Sequence, residues 1–213
     1  MIHEPSDVNA GVRSRLYALL GEAFTYPQGS PVIRLLDGDL LADLNDALTM
    51  SPFALAEVPE LINPQTRNAI QEMQITYTDL FDVASGTPKV SLLERRYGDN
   101  PEQKLWENLL SFYSHFGLDF SQGYAQEQPD HLLTELAFMH YLSFLEAGTS
   151  GDQDSFRRGQ RDFLELHLGV WVKELSMNLS ETKELKPYAV LGSLLADVVD
   201  SDLLYLEGRL ESA

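Results

Sequence analysis

Cysteine is missing from this chain of 213 residues. Disulfides, thiolate metal sites, iron–sulfur ligation and cysteine nucleophiles are therefore excluded. Such a composition suits a reducing compartment. Positive charge is also scarce, with 15 Lys and Arg against 33 Asp and Glu and a formal net charge of −18. Phosphate recognition relies on clustered Lys and Arg, so no nucleic acid is expected as a partner. An anionic membrane surface is disfavoured for the same reason. Long apolar runs are absent too: no window approaches 18 uninterrupted apolar residues, and no stable membrane insertion is expected. The opening "MIHEPSDVNAGVRSRLYALL" has no basic segment ahead of an apolar run. No signal peptide is expected, and the expected location is cytoplasmic.

What is present is apolar and helical. At 44% apolar and 10% aromatic residues the chain is globular rather than disordered. At this length folding buries roughly 70% of the unfolded surface, enough for a core without staples. The acidity serves solubility, and it also steers basic peptides toward the surface.

The apolar period is close to 3.6 almost throughout, which predicts an all-α fold. Val8, Val12, Leu16, Leu19 and Ala23 share one face of a first helix, with Ser6 or Asp7 as its cap and Tyr26-Pro27 as its stop. "SPVIRLLDGDLLADLNDALTMSP" reads as one broken or two short helices, with Ser30 as cap and Pro31 at the first position. Asn63-Pro64 opens a helix carrying Ile70, Met73, Tyr77, Leu80 and Phe81, and Asn100-Pro101 opens another that Gly117 closes. Between them "ASGTPKVSLLERRYGD" is irregular. "GLDFSQGYAQEQPD" is the linker candidate, dividing the chain into 1–117, a hinge loop at 118–128, and 129–213. Three further helices are predicted: one from about Asp130 to Ala147, one from near Asp154 past Leu175, and one from Pro187.

Local catalytic motifs are lacking. None of the five histidines follows a glutamate by three residues, and no H-E-x-x-H, Gly-rich phosphate loop or G-x-S-x-G elbow is present. His131 and Glu135 lie four apart on one helical face, but two ligands do not make a metal site. In "QPDHLLTELAFMHYL", Pro129 suits a first turn and Asp130 suits a cap or first-turn position beside the positive end of the helix dipole. His131 next to those free N–H groups is expected to stay neutral, with Glu135 as its i,i+4 neighbour. His167 and Trp171 share a face and read as packing, with His167 bonded to a buried carbonyl. Arg95 and Arg96 read as local salt-bridge residues.

"PDHLLTELAFMHYL" closely resembles the P-D-H-x-x-x-E-L-x-F-M signature of the TorD/DmsD/NarJ family of molybdoenzyme maturation chaperones. Three more stretches fit that family in order: "RLYALLGEAFTYP", "ITYTDLFDVASGTPKVSLLERRYGD" and "FLELHLGVW". The wording Leu-Leu-Glu-Arg-Arg-Tyr is nearer to the nitrate reductase-like branch, the chaperones of the type II DMSO reductase family. Gln128 stands where many members carry Glu. The resemblance implies a TorD-like helical bundle with N- and C-terminal parts joined by a hinge loop. It further implies a cytoplasmic, system-specific chaperone, not an enzyme and without a cofactor of its own. Its partner would be the molybdopterin-containing catalytic subunit, bound through a twin-arginine leader or equivalent N-terminal segment and held until cofactor insertion precedes export or assembly. Client-binding candidates are Pro129, Asp130, His131 and Glu135, with Pro88, Ser91, Glu94 and Tyr97 on the irregular loop, where binding residues concentrate. A monomer and a domain-swapped dimer through the hinge are both compatible. The alternatives are a metal-dependent helical enzyme using His131, Glu135 and His140, and a generic helical adaptor.

Overall fold

A computed structural model describes residues 7–59, 68–81, 88–119, 127–182 and 186–212. Its helices are α1 (Val8–Phe24), α2 (Gly29–Asp37), α3 (Asp39–Met50), α4 (Ala69–Phe81), α5 (Glu102–His115), α6 (Leu132–Gly148), α7 (Gln153–Phe163), α8 (Gly169–Glu181) and α9 (Lys186–Glu211). A 3₁₀ turn spans Glu94–Arg96, and a π turn at Leu164–Leu168 joins α7 to α8. Among the described residues there is no strand beyond one isolated antiparallel bridge between Leu93 and His131. The fold is all-α, as expected.

Local chemistry sets the boundaries. Asp7 caps α1 by accepting from the N–H groups of Asn9 and Ala10 at 3.0 and 3.2 Å. The broken second segment is two helices, because Gly38 takes φ +85° between them, a conformation that side chains with a Cβ resist. The cap of α2 is Gln28 rather than Ser30, so Pro31 sits within the first turn instead of opening it. Pro tolerates that turn because its missing N–H would have no helical partner there. The single helix expected after Asp154 is interrupted: five residues of π turn separate α7 from α8. Residues 63–64 and 120–126, where a cap and most of the hinge were expected, lie outside the described residues.

The core is one cluster drawn from α1 and α3 through α9 together with α2 and the loop before α5. The main partner of α1 is α6, and α8 packs on α9. Leu16, Leu20 and Phe24 on α1 and Leu132, Leu136, Met139 and Leu142 on α6 are fully buried. Each such side chain contributes on the order of 1.5–3 kcal/mol by leaving water.

A charged knot crosses this core. Arg13 of α1 donates from Nε to Asp202 at 2.5 Å, from Nη1 to Glu146 at 2.9 Å, and from Nη2 to Gln160. Arg13, Glu146, Gln160 and Asp202 are all wholly buried. Tyr17 donates to Asp202 at 2.6 Å, and Arg157 donates to the other oxygen of Glu146 at 2.7 Å. Burial opposes the charge on Arg13, but Asp202 and Glu146 outweigh it and hold the guanidinium pKa above its ordinary value. The knot ties α1, α6, α7 and α9 together. A buried charge survives only with such partners.

Candidate functional site

The irregular segment 88–97 lies against the mouth of α6. Leu132 donates its backbone N–H to the carbonyl of Leu92 at 2.8 Å, and Glu94 donates its own to the carbonyl of Asp130 at 2.9 Å. Tyr97 folds the segment back on itself, its hydroxyl donating to the carbonyl of Ser91 at 2.6 Å. Its ring stacks on Trp171 at 5.1 Å, and burial raises its hydroxyl pKa to about 12. Tyr113 of α5 reaches the same place, donating to the carbonyl of Pro129 at 2.7 Å. The sequence candidates Ser91, Glu94, Tyr97, Pro129, Asp130, His131 and Glu135 are thus gathered at one junction. Pro88 stands half-buried at the start of the segment.

Asp130 does not cap α6. It is wholly buried and turned toward the loop, where Arg95 Nη1 meets its two oxygens at 2.7 and 3.0 Å. Trp106 donates its indole N–H to Oδ1 at 2.8 Å, and the Arg95 backbone N–H lies 3.4 Å from Oδ2. Arg95 also bonds Gln128 at 2.5 Å and lies over the Trp106 ring at 5.7 Å. Such paired, charge-assisted bonds fix orientation as well as charge. Neither Arg95 nor Trp106 was assigned this role from sequence, since both come from segments with no local link to Pro-Asp-His. Arg95 forms its ion pair across 35 positions rather than locally as expected.

His131 is the cap instead. Its Nδ1 accepts from the N–H of Leu133 at 3.2 Å, which requires that nitrogen to be unprotonated. Burial lowers its pKa, against the opposing pull of Glu127 and Asp130. Its Nε2 lies 3.9 Å from Glu127 at the exposed rim.

Glu135, expected beside His131, faces the opposite way. It is wholly buried; Oε2 accepts from Trp171 Nε1 at 3.0 Å, and Oε1 has no donor. Burial first, and then the neighbouring Glu94 carboxylate, push its pKa well above the ordinary 4.5. Glu94 in turn sits with both oxygens 3.2 Å from His167 Nδ1. His167 therefore meets a carboxylate rather than the carbonyl expected. The π turn brings it there: the extra residue rotates His167 inward while Leu166 and Val170 face out, a common use of π bulges.

The metal alternative is not assembled. His140 holds Ser14 Oγ at 2.8 Å, while His131 and Glu135 point apart. Among the described residues, no group of three or more His, Cys, Asp or Glu side chains could hold a metal ion. No helix among them is long and apolar enough to cross a membrane.

Comparison with known proteins places this junction in a family. The sequence model of the nitrate reductase delta subunit family matches residues 38–177, more than half of the chain and the whole of the junction. The chain belongs to the nitrate reductase delta subunit family. Proteins similar to it include a selenate reductase assembly chaperone of Thauera selenatis, 29% identical over 87% of this chain and 84% of that protein. A perchlorate reductase assembly chaperone of Dechloromonas aromatica is 29% identical, covering 90% and 88%. A chlorate reductase assembly chaperone of Ideonella dechloratans is 31% identical over 62% and 68%. The fold is shared with a crystal structure from Archaeoglobus fulgidus assigned to redox enzyme maturation, at TM-score 0.51 and 19% identity over 88% of this chain and 93% of that one. The expected family of redox-enzyme maturation chaperones is the one these relatives belong to.

Proposed function

We propose that this chain is the dedicated assembly chaperone of a molybdopterin-containing oxidoreductase. In this role it binds the twin-arginine leader, or the equivalent N-terminal segment, of the catalytic subunit in the cytoplasm until the cofactor is inserted. The observation that carries this reading is the match to three assembly chaperones of oxyanion reductases, two of them along more than four fifths of both chains. The acidic surface is in keeping with a client segment that combines arginines and an apolar stretch.

Pro88, Ser91, Glu94, Tyr97, Pro129, Asp130, His131 and Glu135 form the proposed client-binding region. Burial divides their roles. Asp130, Glu94 and Glu135 lie inside and shape the junction, whereas Glu127, Gln128 and the edge of His131 meet solvent and would touch the client.

Co-expression with a tagged catalytic subunit from the same host tests the proposal. Capture of the subunit is expected, with loss of capture when its N-terminal segment is removed; undiminished capture of the truncated subunit would refute binding through that segment. Replacing Glu127 and His131 together by Ala should weaken capture while the helical circular dichroism stays unchanged. Full capture by that variant removes the rim from the site.

A further inference from the structure

Beneath the client-facing rim lies a polar arrangement that peptide docking does not use. Glu94 on the loop, Glu135 on α6 and His167 on the π turn are 7%, 0% and 2% exposed. Around them stand Trp171 of α8, bonded to Glu135, and Tyr113 of α5, whose hydroxyl is pushed up by burial and by the nearby Glu135, Glu94 and Asp130. The cation near the group, Arg95, is turned away and spends its guanidinium on Asp130 and Gln128. Asp130 adds a further anion near Glu135, and Glu174 of α8, also anionic, acts on Tyr97 at the outer edge.

Two carboxylates buried as neighbours within such a shell, Glu94 near enough to raise the Glu135 pKa, conflict with elementary electrostatics. Like charges at this range in a low dielectric do not both ionise, and one proton resolves the conflict. The polar bookkeeping agrees. With both groups ionised, Oε1 of Glu135 is a wholly buried acceptor with no donor. With a proton on Glu135, that carboxyl becomes a donor to the Glu94 carboxylate beside it. The imidazole assigns the proton to one side: His167 Nδ1, equidistant from both Glu94 oxygens at 3.2 Å, donates to Glu94 and keeps it the anion.

We propose that Glu135 and Glu94 share a single proton, and that this protonated pair is a latch fastening the 91–97 loop to α6 and to the π turn. The loop carries Glu94; α6 and α8 carry Glu135 and its indole partner. Losing the proton sets two anions against each other across the contact that fastens the loop, so rising pH loosens it. The latch goes beyond client binding and stands whether or not a leader peptide binds.

The direction of the pH effect follows from the raised pKa of Glu135. Between the ordinary glutamate value and the raised one, the folded chain holds a proton the unfolded chain has released, so stability falls as pH rises. Glu135→Gln imitates the protonated acid, with an amide N–H for Glu94 and a carbonyl for Trp171. Urea unfolding of the full chain between about pH 5.5 and 8.5 compares the two. Relative to Glu135→Gln, the wild-type unfolding constant should rise by up to about tenfold per pH unit, the slope of one proton. The native tryptophan emission should shift over the same range in wild type and stay flat in the variant, since both tryptophans of the chain, Trp106 and Trp171, border the junction. Glu94→Gln removes the like charge but leaves Glu135 buried, so both readouts should shrink and end at lower pH than in wild type, and this variant carries the test if Glu135→Gln does not fold. Glu165→Gln, which alters an exposed carboxylate on the outer side of the π turn, should keep the wild-type slope. A wild-type slope and emission shift retained in the folded latch variants would overturn the proposal.

Discussion

Removing the Asp130 carboxylate while keeping its shape is the most direct probe of the junction. Asp130→Asn loses the charge that Arg95 meets at 2.7 and 3.0 Å, while an amide oxygen remains to accept from Trp106 or Arg95. Charge-assisted bonds contribute about 1.5–3 kcal/mol each. Arg95 retains some solvent access, with 16% of its side chain exposed, and can rehydrate when its partner is lost. The expected cost of Asp130→Asn is therefore the lower part of that range, about 2 kcal/mol. Asp130→Ala also strands the Trp106 N–H and opens a cavity, raising the expected cost to about 3–5 kcal/mol. Arg95→Met leaves a wholly buried carboxylate without its cation, and about 3–5 kcal/mol is again expected. These losses fall below the roughly 5–15 kcal/mol that stabilises a domain, so the variants should remain folded and measurable. A double-mutant cycle of Asp130→Asn with Arg95→Met, followed by urea unfolding, isolates the pair. A coupling of about 1.5–3 kcal/mol is expected, and a coupling below about 0.5 kcal/mol would refute the claim that the pair orients the mouth of α6.

Other sites yield equally definite expectations. Arg13→Met leaves Asp202 without its cation, holding the Tyr17 hydroxyl, and leaves Glu146 with Arg157 and Gln160; a loss of about 3–5 kcal/mol in thermal or urea unfolding is expected, and a near-neutral result would mean the knot tolerates an apolar replacement. His131→Asn keeps a good capping residue but removes a titrating ring. Because the folded histidine has a lowered pKa, wild type should lose stability relative to this variant as pH falls below about 6.5, with a constant difference at higher pH. Gly169→Ala would put a Cβ 2.5 Å from the carbonyl oxygen of Leu164, so the π turn must rearrange; about 1–3 kcal/mol of destabilisation and an altered Trp171 emission are expected.

How much of this was legible before the structure depended on range. Helices with strong apolar stripes, such as that of Leu132, Leu136 and Met139, could be read because their signal repeats within one turn or two. Asp130 could be flagged as special but not understood. Its residue type and place before a helix fit a cap equally well, and the deciding partner lies 35 positions away in a segment without periodicity. Glu135 was assigned to His131 from spacing alone, whereas the core face of α6 turns it toward Trp171, 36 positions on. The π turn escaped notice because "FLELHLGVW" keeps helical composition throughout. Its one local hint is a glycine where the widened turn leaves no room for a Cβ. Arg13 has no local signal of its role, and nothing near it in sequence announces that Asp202 receives it.

The span of the Arg13–Asp202 pair sets a timetable for the protein's own synthesis. The two residues stand 189 positions apart, with Asp202 on the last helix. At roughly 5–20 residues per second, about 10–40 s separate their translation. During that interval α1 lacks Asp202, one of the two carboxylates that hold its guanidinium, and the finished wall of α9. A protein proposed to shelter the first-made segment of another chain thus itself makes α1 well before the α9 it packs on.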